Sequence, residues 1–69
     1  MAHEIVQYTY VRMNGNQYIC KTFPEIWDLL QENNCALNEE EKGNLLRFLF
    51  INGKCMVLIN GTTVEFEIR

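Results

Sequence analysis

His3, Cys20, Cys35 and Cys55 are the residues of this chain that could hold a zinc ion or supply a nucleophile. Structural zinc sites draw ligands in close pairs such as Cys-x-x-Cys, because a short loop then fixes two donors around the metal. No such pair is present, and His3 sits beside the terminus. A cysteine nucleophile needs a base to take its proton, and His3 is the sole histidine. Three widely spaced cysteines do not form a disulfide framework either. Cys20 and Cys55 fall in apolar strand patterns, where free cysteine behaves as a small buried hydrophobe. The sequence therefore predicts no metal, no cofactor and no catalytic residue.

Paired carboxylates could do acid–base work, and Glu39, Glu40 and Glu41 are adjacent. Their position just after Asn38 has a simpler cause. Carboxylates in the first turn of a helix meet the positive end of its dipole. The twelve-residue calcium loop is absent, and Gly15, Gly43, Gly53 and Gly61 never cluster into a phosphate cradle. Tyr8, Tyr10 and Tyr18 could stack nucleobases, but only Arg12 and Lys21 interleave with them. Core or interface packing is the expected role of these rings.

The elements that place these residues can be read from turns and caps. Asn14-Gly15 lies between two stretches rich in β-branched and aromatic residues, 4–13 and 16–21. Asn-Gly favours a two-residue type I′ turn, which pairs Val11 with Tyr18, Tyr10 with Ile19 and Thr9 with Cys20. One face of that hairpin holds Val6, Tyr8, Tyr10, Ile19 and Phe23. The other holds Ile5, Val11, Met13, Tyr18 and Cys20. Periodicity does not say which is buried.

Thr22 and Glu25 have capping-box spacing, with Pro24 in the first turn, and Phe23, Ile26, Trp27 and Leu30 recur as a helical stripe. Asn33 and Asn34 end this first helix. Asn38 and Glu41 form a second capping box. The helix that follows carries Leu45, Leu46, Phe48, Leu49 and Phe50. That is more than one stripe, so burial over much of its circumference is expected. Asn52-Gly53 stops it with a left-handed glycine.

Asn60-Gly61 reads as a second type I′ turn. It pairs Ile59 with Thr62, Val57 with Val64 and Cys55 with Phe66, an apolar face completed by Ile68. The opposite face pairs Leu58 with Thr63, Met56 with Glu65 and Lys54 with Glu67. Met56 and Leu58 are thus expected outside, as an apolar patch if Val11 or Met13 lies beside them. The expected fold is one α+β domain over residues 1–69, in the order β-β-α-α-β-β, with an antiparallel sheet of two hairpins and both helices on one face.

Sixty-nine residues carry a net charge of −3. The balance is uneven: Glu25, Asp28, Glu32, Glu39, Glu40 and Glu41 outnumber Lys42 and Arg47 in the middle of the chain. Phosphate backbones are bound by Lys and Arg, so this distribution argues against nucleic acid as the partner. With 48% hydrophobic residues the chain is too apolar for disorder. No apolar run approaches the ~20 residues that span a bilayer, and the first ten residues lack the pattern of a signal peptide. A cytoplasmic location and no membrane partner are expected.

These features predict a small non-enzymatic protein-binding module. Its contact residues would be the acidic set Glu25, Asp28, Glu32, Glu39, Glu40 and Glu41, together with Met56 and Leu58. An acidic protein of this size could fill a basic, nucleic-acid-handling groove on another protein, as small phage-encoded inhibitors and modulators do. Two alternatives follow from the same pattern. A helix pair followed by a hairpin is also the order of winged-helix nucleic-acid-binding regulators. An apolar sheet surface also suits a structural subunit or homodimer that self-associates through the sheet.

Overall fold

The computed structural model describes residues 7–69. Its elements run β1 (Thr9–Met13), β2 (Asn16–Cys20), α1 (Phe23–Glu32), α2 (Glu39–Asn52), β3 (Lys54–Ile59) and β4 (Thr62–Ile68). The four strands form one antiparallel sheet in the order β2-β1-β4-β3. The architecture is α+β, with the two hairpins joined along β1 and β4.

Each expected turn is present. Asn14 and Gly15 take positive φ of 53° and 76°, and Asn60 and Gly61 take 48° and 78°. Positive φ at both central residues is what a type I′ turn requires. The resulting registers include Val11 opposite Tyr18 and Val57 opposite Val64. The expected first strand, 4–13, is observed as Thr9–Met13. Tyr8 extends the pairing by exchanging backbone hydrogen bonds with Arg69, both 2.9 Å. Residues 4–6, with Ile5 and Val6, lie outside the described residues, as does His3.

The caps also form as expected. Thr22 and Glu25 complete one capping box, and Asn38 and Glu41 the other. Asn34 adopts a left-handed φ of 59° as the chain leaves α1, and Gly53 does so at 73° after α2.

Pairing of β1 with β4 settles which face of the first hairpin is buried. Val11 lies opposite Phe66, and Thr9 opposite Ile68. Val11, Met13, Cys20, Ile59, Val64 and Phe66 form the sheet side of the core. Ile26 and Leu30 of α1, Leu45 and Leu49 of α2, and Cys35 of the connecting loop cover them. Both helices therefore lie on one face, α1 on the β2 side and α2 over β3 and β4. Trp27 packs at the rim of the core, with the Lys42 ammonium 5.6 Å from its ring centre.

One expectation fails. Helix α2 is not buried around much of its circumference: only Leu45 and Leu49 are. Phe48 and Phe50 are exposed, and Ile51 is 74% exposed. The cause is size. This helix has a sheet beneath it and one short helix beside it, and no third element among the described residues covers its remaining sides. Phe50 meets Phe23 edge to face at 5.7 Å, which links the end of α2 to the start of α1.

Candidate protein-binding surfaces

The acidic residues divide by role. Glu25 accepts from the backbone amides of Lys21 and Thr22, closing the α1 capping box. Glu41 does the same for Asn38 at 2.9 Å, and Glu39 pairs with Lys42 at 3.2 Å. These groups hold helix ends. Asp28 and Glu32 are exposed and make no ion pair with another described residue.

Glu25, Asp28 and Glu32 stand at i, i+3 and i+7, so they share one flank of α1. That flank borders the free edge of β2. Between them runs a groove whose walls include Tyr18, Leu29, Glu25, Asp28 and Glu32, with the Ile19 edge of β2 along its rim and Lys21 at one end. Glu39, Glu40 and Glu41 belong to the first turn of a different helix. The six carboxylates are thus two groups, and the α1 group lines a groove.

Met56 and Leu58 point outward, 64% and 72% exposed, as the second turn requires. Their neighbours differ from the apolar patch that the sequence suggested. Val11 and Met13 are buried on the other side of the sheet. The strand alternation instead brings Tyr10, Arg12, Glu65 and Glu67 to the outer face. Arg12 approaches Glu65 at 3.8 Å, and Arg69 pairs with Glu67 at 3.0 Å while stacking 4.6 Å from the Tyr10 ring centre. Lys54 stands opposite Glu67 as expected, and the Glu67 carboxylate makes its ion pair with Arg69. Charges therefore cross the middle of the outer face, and its exposed aliphatic residues stand at the margins, Met56 and Leu58 on β3 and Ile19 on β2.

The cysteines do not assemble a reactive site. Cys20 and Cys35 are buried and Cys55 is half-buried. Burial raises the Cys20 thiol above its ordinary value of 9.0, and the nearby Glu25 carboxylate raises it further. Burial raises Cys55 in the same way. A raised thiol carries less thiolate at neutral pH, the opposite of what a nucleophile needs. Among the described residues no group of three or more His, Cys, Asp or Glu could hold a metal ion. Nor is any helix among them long and apolar enough to cross a membrane.

Sequence reasoning missed Phe48 and Ile51 as surface residues. Their signal was present in LLRFLFI, which holds more apolar residues than one stripe can bury. Comparison of the chain with models of known protein families, with curated proteins and with solved structures found no match.

Proposed function

We propose that this protein is a non-enzymatic binding module that engages a basic protein through the acidic flank of α1. One observation carries the reading: Asp28 and Glu32, with no ion-pair partner among the described residues, stand beside Glu25 along a groove that also offers Tyr18 and Leu29. Carboxylates with apolar contacts between them suit lysine and arginine side chains, whose stems pack while their heads pair. The charge also speeds encounter with a basic surface. A basic groove that handles nucleic acid is such a surface, and occupying it would make this chain an inhibitor or modulator.

The winged-helix alternative has less behind it. Its hairpin tip would be Asn60-Gly61, yet the Asn60 amide donates to the Asn34 carbonyl at 2.7 Å, tying the tip to the loop between the helices. Only Lys54 of β3 and β4 is basic.

The test compares the wild-type chain with an Asp28→Lys/Glu32→Lys variant as baits in low salt. Neither residue is buried, so the variant should fold. The reading predicts that basic proteins held by the wild type are lost from the variant, with affinity for a purified partner reduced about tenfold or more. Equal capture by both baits would contradict it. A parallel Glu39→Lys/Glu40→Lys variant should bind as the wild type does.

A further inference from the structure

The two edges of the sheet are built differently. At the β2 edge, the Lys21 amide is taken by Glu25, and the α1 carboxylates flank the strand. At the β3 edge no strand among the described residues pairs with the outer side. Strand β3 reads KCMVLI, six residues with no proline and one charge. Edges are usually blunted by charge, proline, bulges or a cover. Among the described residues this one has Lys54 alone.

The hydrogen-bonding phase of β3 is fixed. The Gly53 carbonyl accepts from the Ile68 amide at 2.8 Å, one step beyond the Lys54–Glu67 pair. Bonded and non-bonded pairs alternate in an antiparallel ladder. Cys55, Val57 and Ile59 therefore bond to β4, while the amides and carbonyls of Lys54, Met56 and Leu58 point away from the sheet.

Apolar surface borders this edge on both layers. On the outer face are Met56 and Leu58. On the helix side is Phe48, 58% exposed. Its direction follows from helix geometry: Leu49 faces the core, Phe50 turns one way to meet Phe23 of α1, and Phe48 turns the other way. Because α1 lies on the β2 side, Phe48 overhangs β3.

We infer that β3 pairs with the β3 of a second copy of this chain, antiparallel about a twofold axis at Met56. This register sets Met56 against Met56 and Lys54 against Leu58, and it uses every outward amide and carbonyl of the strand. It keeps the two Lys54 side chains at opposite ends of the seam. The two α2 helices then face each other across it through Phe48. Charge selects this edge for a second copy. In a chain of net charge −3, residues 51–64 contain no carboxylate, whereas two β2 edges would bring the α1 carboxylates together. The interface is isologous, as a twofold dimer requires. It leaves both α1 flanks free, so its failure would not touch the function proposed above.

Light scattering or equilibrium sedimentation on three chains tests the inference: wild type, Met56→Lys and Met56→Glu. Position 56 is exposed, and its backbone amide is not needed by β4, so both variants should fold. The wild type is expected at twice its 8.2 kDa mass. Each variant alone, with like charges opposed at the axis, is expected at the single mass. An equal mixture of the two is expected to return to the double mass. A wild type that stays at the single mass would overturn the inference and leave the edge to a strand of another protein. Variants that both remain double, or a mixture that does not reassociate, would overturn the Met56 register.

Discussion

Cys20 and Glu25 illustrate how single residues here serve the fold first. Glu25 joins the turn before α1 to the helix, and its charge adds to the burial that disfavours ionisation of Cys20. The sign of the consequence can be worked out. Both perturbed thiols, Cys20 and Cys55, are raised, so the unfolded chain loses these protons before the folded one does. Their contribution to stability is complete below the unfolded thiol value and is lost as pH climbs through the folded values. The denaturant midpoint is therefore predicted to fall between about pH 8 and about pH 10, and to fall less in a Cys20→Ala variant. An equal fall in both proteins would mean that the thiol at position 20 is not responsible.

Among the secondary-structure elements, local chemistry was legible and long-range pairing was not. Asn14-Gly15, Asn60-Gly61, the Thr22 and Asn38 caps and Gly53 each act within a few residues. Their types were enough to place every turn and helix start. The joining of β1 to β4 depends on residues more than fifty positions apart, and it alone decided that Val11 and Met13 go inward. The same gap explains α2. Its composition asked for more cover than the remaining chain can supply, so Phe48, Phe50 and Ile51 stay outside. Two glycines test this local reading with opposite signs. Gly43 lies inside α2 with open space where a Cβ would sit, so Gly43→Ala should raise stability by roughly 1 kcal/mol. Gly53 has equally open space but a φ of +73°, so Gly53→Ala should lower it by about 1 kcal/mol. Chemical denaturation of the two variants decides. A gain at position 53 would mean that the end of α2 is not held in the left-handed conformation.

The whole molecule separates two kinds of surface across the width of one sheet. At one side, α1 presents Asp28 and Glu32 along the β2 edge; at the other, β3 and Phe48 present a surface without carboxylates. Of the candidate site residues, the sequence placed Met56 and Leu58 outside and identified the acidic stretch. It also showed Glu25 and Glu41 in capping boxes, but not that α1 and α2 carry their carboxylates to different places. Pairing through β3 would set two acidic flanks at the far ends of one continuous sheet, where a partner with repeated basic segments would be bound twice. The gain from such bivalency depends on the spacing of those segments.

The claim at the centre of this account is that the flank of α1, and not acidity in general, receives a basic partner. Nuclear magnetic resonance of the isotope-labelled chain, titrated with a lysine-rich extended peptide in low salt, tests it most directly. Amide shifts are predicted to concentrate at Ile19, Asp28, Leu29 and Glu32, and to disappear in the Asp28→Lys/Glu32→Lys variant. Shifts of equal size at Glu39, Glu40, Glu65 and Glu67, or a variant that responds as the wild type does, would contradict the account.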